Sequence, residues 1–534
     1  MMNGRRSHTL ILLATTAIAL SLCILCIALF GSSAATDSAA VVGRSPRIHP
    51  DFTDTVIPPN IAPVNFQVRE SGTRYRVRIR PEQGSDIEIE SRTAKIEIPE
   101  RKWRRVLSGN RGKQVAFDVL VQSEAGADGT RAWRRFDTFR ITIANEEIDN
   151  YIAYRRIHPA HSAWRRMGLY ERDLRSFDES TIITNDYFKG GCVNCHTFCN
   201  NRPETMLVST RSGDYGSAAV LIDGDTAEKV GTKFGYSTWH PSGKIVAYAG
   251  MKVVLFLHSA GEEVRDVIDL DSLLSYYDVP SKTVKTTPDL ARKDRLETYP
   301  TWSPDGKYLY FCSAPLTWST RNSIPEEYKE VRYDLVRVAY DVDQDAWGPM
   351  ETVLSASETG RSILLPRISP DGRWLLFSMC EYGCFPVYQK SSDLYRIDLD
   401  AAKQTGTYAF RRLEINSDES ESWHSWSSNS RWIAFSSKRG NGTFTRTYIS
   451  YVDPNGTAHK PFVLPQKDPT HYDSCLWTYS VPELIAAPVQ VRKESLARVI
   501  RSPRQISVEM PVTMATPKAP EGTPAAQPYM STRE

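Results

Sequence analysis

One segment of this chain recurs, and the recurrence limits the fold more than any other feature. The copies begin Tyr236-Ser-Thr-Trp-His-Pro-Ser-Gly-Lys, Tyr299-Pro-Thr-Trp-Ser-Pro-Asp-Gly-Lys and Leu365-Pro-Arg-Ile-Ser-Pro-Asp-Gly-Arg, each running on into apolar residues. A decayed fourth reads Trp423-His-Ser-Trp-Ser-Ser-Asn-Ser-Arg-Trp-Ile-Ala-Phe. The turn prolines Pro241, Pro304 and Pro370 lie 63 and 66 residues apart, and Ser428 takes the same place 58 further on. A fixed period of this size marks repeated supersecondary units stacked on one another. Each copy reads as strand, turn, strand: proline presets the turn dihedral, Asp or Ser caps it, and glycine takes the positive φ. Further alternating strands follow at Asp393 and Thr447. Four strands per repeat, arranged radially, make a β-propeller blade.

These residues resemble the TolB-like, WD40-like propeller repeat, which Trp302-Ser303-Pro304-Asp305-Gly306-Lys307 matches in full. The resemblance implies a propeller over 205–490, with six blades if Met206–Gly224 and Asp473–Val489 supply two more. The fold class expected for the whole chain is all-β: an N-terminal transmembrane anchor, a small β-sandwich, then the propeller.

The rest of the chain is read around that block. Arg5, Arg6 and His8 precede an apolar run of 22 residues, Thr9 to Phe30, which small residues follow. Its length exceeds the 7–15 of a cleaved export signal and suffices to cross a bilayer. Residues 1–40 therefore read as a signal anchor, with the bulk of the chain in the periplasm and the anchor in the inner membrane. Residues 41–60 read as a linker. From 61 to 145, strict alternation such as Arg74-Tyr-Arg-Val-Arg-Ile-Arg80 predicts a fibronectin- or immunoglobulin-like sandwich. Residues 146–204 read as a connector. Residues 503–534, rich in Pro, Ala, Thr and Ser, read as a disordered tail. A net charge of +3 on 534 residues gives no general attraction to nucleic acid.

Chemistry is concentrated in Gly190-Gly-Cys192-Val-Asn-Cys195-His196-Thr-Phe-Cys199. Cys-X-X-Cys-His is the attachment motif of c-type haem: two thiols bond the porphyrin vinyl groups and the adjacent imidazole ligates iron. By composition the motif should arise by chance in roughly three per thousand such chains. Cys192 and Cys195 are thus the expected thioether residues of one covalent haem c, and His196 the proximal iron ligand. Met206 is the candidate for the opposite axial position, with His240 the alternative; His158, His161, His424 and His471 rank lower. Gly190 and Gly191 would let backbone approach the macrocycle. Two other readings stay open: a redox dithiol of Cys192 and Cys195, and zinc held by Cys192, Cys195, His196 and Cys199. Cys380 and Cys384 could form a local disulfide, and Cys312 and Cys475 are buried thiols or a further bridge.

The combination of β-domain, haem motif and propeller resembles haem-motif propeller proteins of Bacteroidetes-type bacteria. That resemblance implies no settled activity; the haem motif makes electron transfer or redox sensing at the envelope the leading expectation, with redox or scaffold proteins as partners. The competing function is a non-catalytic TolB-like scaffold. TolB-like propellers also cap serine hydrolases, but no Gly-X-Ser-X-Gly elbow occurs in the chain.

Overall fold

The computed structural model describes residues 39–126, 129–158, 166–319 and 323–508. Of the expected anchor segment over 1–40, residues 1–38 lie outside them. Among the described residues no helix is long and apolar enough to cross a membrane. Two units divide the chain, one of residues up to 54 with 63–142 and 467–471, the other of 55–62, 143–466 and 472 onward.

In the smaller unit the alternating segments form strands as expected. Arg74–Pro81 pairs on one side with Ile87–Ser91 and on the other with Gln114–Gln122, which in turn pairs with Trp133–Arg135 and Phe139–Ile143. Val77, Ile79, Val115, Phe117 and Val119 all point inward and are buried. Ile48–His49, Phe66–Val68 and Lys95–Ile96 make a second, three-stranded sheet. The unit also holds a helix that strand alternation hides, Glu100–Gly109, whose buried Trp103, Val106 and Leu107 have helical spacing. Residues 41–60 contribute short strands rather than a linker, because Ile48, Val56 and Ile57 are buried apolar residues.

The larger unit contains six four-stranded antiparallel sheets. We number these blades 1 to 6. Blade 1 runs Cys192–Cys199, Arg202–Ser212, Gly216–Asp223, Thr226–Val230. The innermost strands of blades 2 to 5 are Gly235–Trp239, Arg295–Trp302, Ser362–Ile368 and Glu421–Trp426. Blade 6 is composite: Thr478–Ile485 is innermost, and Tyr151–Ile157, Met167–Asp173 and Glu179–Thr184 lie outside it. Each innermost strand neighbours the next, and that of blade 6 neighbours that of blade 1, so the sheets close into a propeller-like ring. Joining a late strand to an early hairpin in blade 6 leaves no open edge in the ring.

This arrangement differs from the expected connector over 146–204. Tyr151–Ile157 pairs with Thr478–Ile485, more than 300 residues away, and Cys192–Cys199 opens blade 1. The repeats themselves fold locally as read. In blade 3, Gly306 (φ 72°) donates its N–H to the Ser303 carbonyl at 2.9 Å, and Ser303 Oγ accepts from Tyr308 N at 3.0 Å. Ser369 with Trp374 and Ser427 with Trp432 repeat that bond. Apolar clusters fill the space between neighbouring blades; one holds Trp302, Leu309 and Phe311, and another Trp374, Trp426 and Phe435. Ahead of the expected tail, Lys493–Arg501 is a helix burying Leu496, Ala497 and Ile500; within the tail, Ile506 N donates to Lys229 O at 2.8 Å. Residues 509–534 lie outside the described residues.

Candidate functional site at the propeller axis

All six innermost strands break register at the same place. The breaks fall between Asn194 and Thr197, Gly235 and Thr238, Thr298 and Thr301, Leu364 and Arg367, Ser422 and Ser425, and opposite Ala153–Arg155 in blade 6. At each bulge one non-glycine residue adopts positive φ: Cys195 (56°), Tyr236 (32°), Tyr299 (51°), Leu365 (56°), Trp423 (49°) and Val481 (52°). Such conformations cost about 1–3 kcal/mol each and persist only where the surroundings impose them. Bulges re-aim side chains, and here the six residues line one axial cavity of about 540 Å³ counted with its open mouth.

The register places the motif within the repeat. Tyr236, Tyr299, Leu365 and Trp423 are the opening residues of the four sequence copies. Cys195 occupies that position in blade 1 and Val481 in blade 6, so Cys195-His196-Thr197-Phe198 corresponds to Tyr299-Pro300-Thr301-Trp302. Thr197 and Phe198 preserve the small-polar and aromatic positions that could have revealed this copy in the sequence.

His196 is 4% exposed; the Val481 backbone lies beside its ring, and neither nitrogen makes a well-aligned hydrogen bond. Burial, reinforced by the nearby Arg155 and Arg367 guanidinium groups, pulls its imidazolium down to about 3, so the ring is neutral. A buried ring without a well-aligned partner costs on the order of 1–3 kcal/mol, which a ligand in the cavity would offset. Cys195 shares the cavity, and burial pushes its thiol up. Cys192 is buried three residues earlier; Arg211 approaches its Sγ at 3.4 Å, and its charge reaches Cys195.

The other candidates do not join them. Met206 is fully buried and pairs across the strands with Phe198, in an apolar cluster with Val193 and Val208. His240 spends both ring nitrogens at its turn, on Ser242 Oγ at 2.7 Å and on the Gly306 carbonyl at 3.2 Å. His424 holds blade 5's counterpart of the His196 position, and its Nε2 meets the Leu376 carbonyl at 3.2 Å. His158 packs edge-on against Trp477, His471 belongs to the smaller unit, and His161 lies outside the described residues.

Gly191 serves the sheet: a Cβ there would sit 2.4 Å from the Arg211 carbonyl. Cys199 Sγ faces the His240 carbonyl at 3.6 Å, away from Cys195. Among the described residues no three His, Cys, Asp or Glu side chains are placed to hold a metal ion, which disfavours the zinc set. Cys380 and Cys384 are buried thiols facing the Tyr382 and Val267 carbonyls, so the expected bridge is not formed, and neither Cys312 nor Cys475 is in a disulfide.

Several cavity residues were not anticipated. Arg155 Nε donates to Ser480 Oγ at 3.1 Å, and its Nη1 donates to Asn194 Oδ1. Arg367 is enclosed by protein but retains access to the cavity. Tyr236, Tyr299 and Trp423 pack as an aromatic wall, with the two tyrosine rings 4.2 Å apart. Tyr236 and Tyr299 were visible as repeat openings; Arg155 carried no such mark.

No protein-family model matches the chain, and no curated protein sequence does. Solved structures that share part of its architecture include a puromycin hydrolase, at 17% identity and a TM-score of 0.34, over 59% of this chain and 45% of that one. The tricorn protease shares 12% identity at 0.31, over 66% and 34%. Hydrazine synthase of Kuenenia stuttgartiensis shares 15% at 0.29, over 49% and 64%. The chain thus spans less than half the length of the two peptidases, and the closed ring of sheets, rather than these weak likenesses, establishes its fold as propeller-like.

Proposed function

We propose that this chain is an envelope haem c protein of TolB-like architecture, acting in electron transfer or redox sensing, with the propeller as its docking surface for protein partners. One observation carries the reading: a buried neutral imidazole stands beside a cysteine of a Cys-X-X-Cys-His motif in the lining of one axial cavity. Two of the three donors share the site: Cys195 and His196 line the cavity, and Cys192 lies outside its lining. Cys192 and Cys195 would hold it by thioethers and His196 by its ring nitrogen; bound there, it supplies reversible one-electron chemistry.

The chain's own contribution is electrostatic and steric. Arg155 and Arg367 disfavour a proton on His196, which keeps a nitrogen lone pair available across the neutral pH range. The bulge turns Cys195 and His196 toward the same cavity although they are adjacent on a strand. Tyr236, Tyr299 and Trp423 restrict water on the opposite wall. Met206 and His240 would take no part in holding the group, since the one is packed in the core and the other has both ring nitrogens bonded. The apolar run at 9–30 would hold the protein to the inner membrane, with the propeller in the periplasm.

A second reading, a binding propeller without haem, draws on Cys192. Its Sγ is buried against Arg211 rather than lining the cavity. A pyridine haemochrome assay on protein made with c-type maturation separates the two. A covalent c-type spectrum that Cys192→Ala/Cys195→Ala abolishes is expected. Folded, exported protein without haem would leave the scaffold reading.

A further inference from the structure

Two guanidinium groups line the axial cavity, and the one buried carboxylate that acts on either is Glu483, on Arg367. Arg155 is buried, and its hydrogen bonds go to the neutral Ser480 and Asn194 side chains. Arg367 is enclosed, and burial lowers its affinity for a proton. Among the described residues neither forms an ion pair within 4.0 Å. Glu483 is the nearest compensating group, but one of its oxygens accepts from Phe198 N at 3.2 Å and burial raises its carboxyl to about 7. Both arginines act on the same imidazole of His196, so they approach the cavity together. Ser237 adds a buried hydroxyl with no partner on the same lining. Removing a cation from water costs several kcal/mol, and two beside one cavity also repel. Glu483 acts on Arg367 and not on Arg155, so a neutral occupant would leave two cations facing at most one counter-charge.

We infer that the axial cavity is a binding site for a small free anion, a carboxylate or oxyanion, clamped between Arg155 and Arg367 with Ser237 as an added donor. Planar guanidinium forks suit the paired oxygens of such a group and give charge-assisted bonds. The inference goes beyond the haem reading and does not require it: an anion here would lie beside whatever Cys195 and His196 hold.

The test uses the full chain as purified, with haem content measured separately so that either idea can fail alone. Acetate is the probe and acetamide its neutral isostere, compared by saturation transfer to the ligand methyl group. Saturable transfer to acetate and little to acetamide is expected. Arg367→Gln and Arg155→Gln should each weaken acetate binding about tenfold or more, and Arg367→Lys less. Equal transfer to acetate and acetamide in the unmodified protein would overturn the proposal even if the variants did not fold. Unchanged acetate binding in both folded glutamine variants would overturn it as well.

Discussion

Blades 1 and 3 share one backbone and carry different chemistry. Each innermost strand bulges at the same register, with a positive-φ residue facing the axis: Cys195 in one, Tyr299 in the other. The next residue is His196 in blade 1 and Pro300 in blade 3, and proline recurs there as Pro366 and Pro482. Two residues before the bulge, blade 1 buries Val193 and blade 3 buries Glu297. The backbone is set by cross-strand hydrogen bonds and by packing between blades, both of which tolerate exchange at these positions. A repeated fold can therefore give up one blade's opening residues to a reactive pair without redesigning the ring.

The largest test of that equivalence is His196→Pro, which makes blade 1 resemble blades 3, 4 and 6. It should leave the far-UV circular dichroism unchanged and shift Tm by only a few degrees, while abolishing the imidazole ligation signature of any bound haem. Global unfolding of the variant would show that the His196 backbone, and not only its side chain, differs from that of Pro300.

Glu297 sharpens the comparison through pH. It is fully buried, and burial, only partly offset by the Arg292 backbone and charge, raises it to about 8 from an ordinary value of 4.5. Below 4.5 the folded and unfolded states are both protonated and there is no penalty. Between 4.5 and 8 the folded state holds a proton that the unfolded state has lost, so stability falls as pH rises. Glu297→Gln should therefore gain on the order of 1–4 kcal/mol over the parent chain at pH 8 and little at pH 4, read from denaturant midpoints. A gain independent of pH would break the assignment. His196 acts in the opposite sense, since its folded value of about 3 removes stability as pH falls from 6.5 toward 3.

The smallest effect is expected in blade 6. Val481 is β-branched at φ 52°, where asparagine is tolerated better. Val481→Asn should raise stability by up to about 1 kcal/mol in thermal melts, because it relieves strain at a half-buried cavity position. Destabilisation would mean that the Val481 side chain matters more than its backbone.

The sequence was most legible where structure is local. Trp302 to Lys307 encodes a turn whose hydrogen bonds close within five residues, so the repeat could be read directly, as could the strict alternation at Arg74 to Arg80. Cys192, Cys195 and His196 were legible as a motif because attachment chemistry demands that spacing. The pairing of Tyr151–Ile157 with Thr478–Ile485 was hidden, since partners more than 300 residues apart leave no local pattern, and arginines among aromatics read as an ordinary surface. Met206 illustrates the same limit. Ten residues from His196 it was a reasonable axial candidate, and only the strand register, which sets it opposite Phe198, consigned it to the core.

By itself, then, the sequence determined the blade unit, its turns and the presence of a Cys-X-X-Cys-His segment, all products of short-range sterics and hydrogen bonding. Tertiary structure alone decided that this segment is a blade's innermost strand, that the ring closes through blade 6, and that Arg155 and Arg367 meet His196 at the axis. Those outcomes depend on which faces six separate sheets turn toward one another, and side-chain convergence of that kind is a property of the closed ring rather than of any stretch of chain.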